Sequence, residues 1–241
     1  MWYPLKKEEL EELLDKLLEK ELIKRSKTRS INGIITPHAG YNYSGSIASK
    51  AYAYLKSSKK KKAIILSPSH YIPLNGLATH NDLEWQTPLG TVKVSSLSNK
   101  FRKLNLTQEH AIDNQIPFLQ KIGMKEILPI IVGDISKEQA KEIAKQFSKY
   151  AKDYDFIIST DLSHFLEYDY AKLEDKNTIK QIINLNSDSP EKIDACGLYP
   201  LLILIELCKL KSWQPKLIEY KNSGDITGDK DKVVGYASLI F

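Results

Sequence analysis

Three of the five histidines in the chain stand within a few residues of the end of a short apolar run. His38 follows "GIIT", His70 follows "AIILS" and His164 follows "FIIST". Short apolar runs bounded by turn residues read as buried strands, and ligands of open α/β sheets bind outside the carboxyl ends of the strands. If these strands are parallel neighbours, the imidazoles face a common crevice. Neutral imidazole is a good ligand for borderline divalent metals, and two imidazoles with one carboxylate leave positions open for substrate. Asp161, Asp225 and Asp229 are the carboxylates near strand ends. A Ser-His-Asp triad is the competing chemistry. The stretch "SPSH" offers Ser67 and Ser69, but the chain has no GxSxG nucleophile turn, so hydrolysis of that kind is the weaker reading.

The elements that must position these residues are legible in outline. Leu10, Leu13, Leu14, Leu17 and Leu18 recur at spacings of three and four and predict an amphipathic helix over 6–24. A strand is expected over 32–35, then a helix over 46–55 with Ser44 and Gly45 as cap material. "KAIILSPSH" predicts a strand ending at Ser67-Pro68. Residues 72–95 are rich in Pro, Gly and Asn and predict turns with one or two antiparallel strands. Helices are expected over 108–122, 137–151, 168–184 and 198–210. The remaining strands are "EILPIIVGD", "DFIIST", "KLIEYKN" and "KVVGYASLI". Strands separated by helices throughout imply an α/β fold: one three-layer domain over 1–241, a central mixed sheet flanked by helices, with an N-terminal helical segment (1–28) packed on it.

Composition excludes several classes of function. Lys and Arg outnumber Asp and Glu by 35 to 30, a net charge of +5 spread along the chain. The one dense cluster, Lys59–Lys62, suits a helix end better than a nucleic-acid patch. Two cysteines, Cys196 and Cys208, make neither a disulfide scaffold nor a CxxC zinc site. No signal-peptide pattern and no apolar run of membrane-spanning length is present, so a cytoplasmic protein without nucleic-acid or membrane partners is expected.

Six motifs, "TPHAGYNYSGSIA", "ILSPSHY", "EHAIDNQIPFLQ", "STDLSHF", "DACGLYP" and "NSGDITGD" followed by "VVGYASL", occur in the order and spacing of the Memo family. From about residue 30 onward the chain resembles that family, whose fold is similar to the class III extradiol dioxygenases, non-haem iron enzymes that open aromatic rings. The resemblance implies a metal pocket at His38 and His70 with a third ligand near the C-terminus. That ligand is a cysteine in animal members, and the matching stretch here has none. Asp225 is the natural substitute; a register shifted by one residue would place Ile226 there, which cannot bind metal. With Asp225 the set is two histidines and a carboxylate, suited to iron(II) or manganese, with copper or zinc as further candidates.

The resemblance also places Asp161 and His164 at the pocket wall, as acid/base groups or as partners that orient the ligands. Glu109 and His110 open a helix, where the acid can serve as a cap. Tyr41 is a candidate for hydrogen-bonding a ligand or for covering the crevice, and Ser44, Gly45 and Ser46 for helix capping or anion binding. Cys196 is a candidate pocket residue that can equally be packed. The implied function is a metal-dependent oxidoreductase of unknown substrate. The alternatives are a non-catalytic pocket for a peptide or small ligand, and metal-assisted hydrolysis. The chain's three arginines, Arg25, Arg29 and Arg102, count against phosphate recognition. Family association further suggests a pathway shared with an AMMECR-type protein and a radical enzyme.

Overall fold

The computed structural model describes residues 2–22 and 31–241. The leucine periodicity forms α1 (Lys7–Leu22), with Leu10, Leu14 and Leu18 buried. The rest of the expected 1–28 segment, beyond Leu22, lies outside the described residues. The first histidine-bearing run forms β1 (Gly33–Thr36), followed by α2 (Tyr41–Leu55) and β2 (Lys62–Pro68). The Pro- and Gly-rich stretch gives β3 (Leu77–His80) and a hairpin of β4 (Glu84–Thr87) and β5 (Gly90–Val94). A short β6 (Arg102–Leu104), too brief to leave a periodic pattern, comes next. The helical stretch at 108–122 divides into α3 (His110–Asp113) and α4 (Ile116–Lys121). Then come β7 (Glu126–Val132), α5 (Lys137–Ser148), β8 (Asp155–Ser159) and a short β9 (His164–Leu166). The chain closes with α6 (Tyr168–Ile183), α7 (Leu198–Lys211), β10 (Lys216–Asn222), α8 (Ser223–Thr227) and β11 (Val233–Ile240).

The sheet runs β10-β11-β1-β8-β2-β7-β3-β6. Its centre is parallel: β1 pairs with β8, β8 with β2, and β2 with β7 in the same direction. β11 joins β1 antiparallel and β3 joins β7 antiparallel, so the sheet is mixed. Strand residues alternate between two apolar layers, as the period of two requires. Ile64, Leu66, Leu128, Ile130, Phe156 and Ile158 pack on the α5 and α7 side, where α7 is buried along most of its length. Ile34, Ala63, Ile65, Ile127, Ile131 and Ile157 face α1, α2 and α4 on the other. This is the three-layer arrangement expected of uninterrupted apolar strands separated by helices.

One boundary differs from expectation. α2 begins at Tyr41 with Gly40 as its N-cap, so Ser44 and Gly45 lie inside the helix. The Ser44 hydroxyl donates to the Ala39 carbonyl at 2.8 Å, and Gly45 is small because a Cβ there would stand 3.1 Å from Leu17 Cδ1 of the crossing α1. Ser44–Ser46 therefore offers no free N–H groups to an anion. No helix among the described residues is long and apolar enough to cross a membrane.

Candidate metal centre

Parallel pairing brings the carboxyl ends of β1, β8 and β2 to one edge, with Thr36 in register with Ser159. His38 leaves the end of β1, His70 the end of β2, and β8 lies between them. The third imidazole is His110, at the start of α3. The ring centroids are 5.2 Å apart for His38 and His70, 5.3 Å for His38 and His110, and 4.6 Å for His70 and His110. One ligand nitrogen from each of the three lies within 4.8 Å of the others.

Hydrogen bonds decide which nitrogen each ring presents. Glu109, the N-cap of α3, accepts from the His70 backbone N–H through Oε2 and sits against His70 Nδ1 through Oε1, both at 2.8 Å. A carboxylate only accepts, so Nδ1 carries the proton and Nε2 keeps its lone pair. The same carboxylate caps Ala111 N–H at 3.2 Å. For His38 the deciding group is Ser159 at the end of β8. Its hydroxyl proton goes to the Ala111 carbonyl at 2.6 Å while its oxygen accepts from Gln115 Nε2 at 2.9 Å. His38 Nδ1, 2.9 Å away, then donates to the Ser159 oxygen, and Nε2 keeps its lone pair as an acceptor, with the Cys196 thiol 3.3 Å from it. His110 Nδ1 lies 3.0 Å from the Tyr71 hydroxyl, which can accept a proton as well as donate one. Imidazoles oriented through their far nitrogen by carboxylates or hydroxyls are the usual surroundings of a metal.

The loop carrying His38 is clamped on all sides. Its backbone N–H donates to Asp161 Oδ1 at 2.8 Å, and its carbonyl accepts from Asn114 Nδ2 at 2.5 Å. Gln115 Nε2 holds the Pro37 carbonyl at 3.0 Å and is itself fixed by the Tyr52 hydroxyl at 2.7 Å. The N-terminal segment closes over the other side. The Trp2 ring stacks on His110 at 4.2 Å and 9°, and its carbonyl accepts from Tyr41 N–H. The Tyr3 hydroxyl donates to Asp113 at 2.5 Å.

Burial disfavours the charged forms of four groups in and beside the cluster. Burial, then the neighbouring imidazoles, hold His38 well below the ordinary histidine range. Burial, with His70 adding, lowers His110 to about 4. Burial raises Asp161 to about 7 despite the backbone N–H groups of His38 and Ala39 that favour its charge. Burial and the nearby Asp161 push the Cys196 thiol up to about 12. Neutral imidazoles need not surrender a proton to bind a metal.

The other expected site residues separate into two groups. Asp161 and Cys196 join the cluster: Asp161 Oδ2 is 3.9 Å and Cys196 Sγ 3.3 Å from His38 Nε2. His164 stands exposed on β9 with its ring against Phe165, at 5.8 Å between centroids. Asp225 is a correction. It is the N3 residue of α8, its Oδ2 accepting from Asn222 N–H at 3.0 Å and its Oδ1 from the Tyr168 hydroxyl at 2.6 Å. It caps a helix and is not in the ligand group. Tyr41 is also corrected: it is buried, donates to the Asn114 carbonyl at 2.7 Å, and packs on Phe118 away from the imidazoles. His110 changes role, from pocket lining to third imidazole. Ser159, Gln115 and Trp2 are the partners that sequence reasoning left unassigned, while Glu109, expected as a helix cap, is that cap and also the partner of His70. Only Glu109 carried a signal, an acid directly before His110.

Three imidazoles fit a transition-metal ion. A metal–nitrogen bond of about 2.0–2.1 Å keeps two ligands within about 4.2 Å of each other, so rotations that close the group by less than about 1 Å suffice. With imidazole in place of the Asp225 carboxylate, the donor set accommodates zinc, copper and iron(II) rather than selecting iron.

The comparisons with known proteins agree with this architecture. The family described as Memo-like protein matches residues 1–240. A MEMO1 family protein of Nitrosopumilus maritimus is 32% identical over 264 aligned positions, spanning 100% of this chain and 96% of the relative. Another, from Methanosarcina acetivorans, is 34% identical over 265 positions, spanning 99% and 95%. Among solved structures, an uncharacterized protein from Escherichia coli K12 aligns with a TM-score of 0.53 at 9% identity, covering 88% of this chain and 100% of that one, a likeness of fold alone. By sequence over nearly its whole length, the chain belongs to the Memo family.

Proposed function

We propose that the protein binds a divalent transition metal at His38, His70 and His110 and uses it in oxidoreductase chemistry on a small molecule. The observation that carries the metal reading is the proton assignment: Glu109 and Ser159 each hold the Nδ1 proton of a histidine, and the freed Nε2 lone pairs belong to rings about 5 Å apart. A bound metal would supply Lewis acidity and, for iron or copper, one-electron chemistry. The oxidoreductase assignment follows the resemblance of the family's fold to the extradiol dioxygenases.

The chain's own groups divide the remaining work. Glu109 and Ser159 fix the imidazole orientations. Asp161, close to His38 Nε2 and titrating near neutrality without metal, is placed to hold or release a proton at its Oδ2. Trp2 stacks on one face of His110 and excludes water there.

The test is metal stoichiometry after anaerobic loading with zinc, iron(II) or copper. The expected result is one ion per chain in the wild type, lost in His38→Ala, His70→Ala and His110→Ala with folding intact, and retained in Asp225→Ala. No stoichiometric ion in the wild type overturns the reading and leaves the cleft as a binding pocket. Loss of the ion in Asp225→Ala would restore the carboxylate ligand set.

A further inference from the structure

We infer that the cleft beside the imidazoles binds a small carboxylate anchored by Arg102, with its other end turned toward the metal position. This deepens the proposed function and rests on it for what the far end meets.

The cleft has a volume of about 620 Å³ and includes His70, Cys196, Asn75, Arg102, Asp134 and Tyr199 in its lining. That size lies within the range of small-molecule sites. Arg102 is the one permanently cationic side chain in the lining. Among the described residues no hydrogen bond or ion pair occupies its guanidinium, although Asp134 lines the same space. Asp134 instead stands near the Tyr199 hydroxyl, whose pKa it raises. A guanidinium with its fork of donors free, lining a concave site, suits a planar carboxylate. The Asp134 charge in the same cleft disfavours a doubly charged group at the guanidinium, which selects a singly charged carboxylate end over a phosphate monoester.

Strand order sets the span. His70 leaves β2, and Arg102 sits on β6, three strands away through β7 and β3. At about 4.8 Å per strand the two backbones are roughly 14 Å apart. Both residues line the same cleft, and that separation leaves room for a ligand of a few bonds between the guanidinium and the imidazole cluster. The floor between them is fixed before any ligand arrives. Gly76 N–H donates to Asp134 O at 3.1 Å, Gly133 N–H to Gly76 O at 2.9 Å, and Asp134 N–H to Leu74 O at 2.9 Å. This close approach requires glycine at 133, where a Cβ would collide with the Leu74 carbonyl.

The test uses the full chain, zinc-loaded and metal-free, titrated with glutarate and separately with inorganic phosphate at constant ionic strength. The chain's three arginines make the Nε–H region of a nitrogen-15 spectrum simple to read. The expected result is a saturable shift of one Nε–H signal by glutarate, absent in Arg102→Ala. Glutarate affinity should fall at least about tenfold in Arg102→Ala and less in Arg102→Lys, which keeps the charge and loses the fork. Zinc content should be unchanged in both, since Arg102 is exposed and touches no imidazole. Glutarate binding that ignores Arg102, or phosphate binding tighter than glutarate, overturns the inference. Stoichiometric zinc with no arginine response sinks this inference alone. A saturable Arg102 response in a protein that takes up none of zinc, iron(II) or copper sinks the metal reading and leaves the carboxylate anchor standing.

Discussion

Glu109→Gln isolates the effect of proton placement on metal binding. The wild-type carboxylate accepts at both oxygens: Oε2 from His70 N–H, and Oε1 from His70 Nδ1–H and Ala111 N–H. Glutamine has the same size but only one accepting oxygen. If that oxygen keeps His70 N–H, its amide faces Nδ1 and drives His70 to the tautomer protonated on Nε2, which cannot bind a metal. If it keeps Nδ1–H, the amide meets the backbone N–H and the loop must shift. Loss of such an orienting partner costs about 10–100-fold in metal affinity, which is about 1.4–2.7 kcal/mol. The metal-free protein should also lose about 1.5–3 kcal/mol of stability, the worth of a hydrogen bond to a charged group. Zinc affinity by chelator competition, with histidine tautomers read from long-range nitrogen-15 spectra, measures both effects. A Glu109→Gln protein that is folded, binds zinc within about threefold of wild type and keeps its Nδ1–H signal would refute the reasoning.

Three further outcomes follow from other contacts. Copper(II) should quench a large share of tryptophan emission because Trp2 stacks on His110, and Trp2→Phe should remove most of that quenching while zinc quenches neither protein. Asp175 is fully buried, accepting from Ser163 N–H at 2.9 Å and the Tyr220 hydroxyl at 2.7 Å, and burial raises it above the ordinary carboxylate range. The native state therefore holds this proton more tightly than the unfolded chain. Its contribution is fully present below the unfolded value of 3.8 and is lost as pH rises through the raised native value. Denaturant melts of the metal-free protein across that window should show a shallower decline in Asp175→Asn. Gly235→Ala should destabilise by about 1–3 kcal/mol, because the added Cβ runs into that fixed carboxylate. Wild-type stability in the same melt would show that α6 can move away.

The sequence by itself determined the layers. Runs such as "AIILS" and "FIIST" are too short and too uniformly apolar for surface strands, and the helices between them force parallel pairing in the sheet's centre. The same runs predicted that His38 and His70 emerge at one edge if their strands run parallel, and β8, parallel to both, makes that so. The third ligand was not legible. Asp225 and His110 both follow turn signals, and nothing local distinguishes a carboxylate that caps α8 from an imidazole that faces β1 and β2. Which chain ends meet depends on strand order and on how α3 lies across β2, and these are set by the packing of distant apolar faces. The same holds for proton placement. Ser159, Gln115 and Glu109 are ordinary polar residues in the sequence, and only the tertiary fold brings Ser159 and Glu109 within 3 Å of two rings, and Gln115 onto Ser159, and so decides which nitrogens carry the protons.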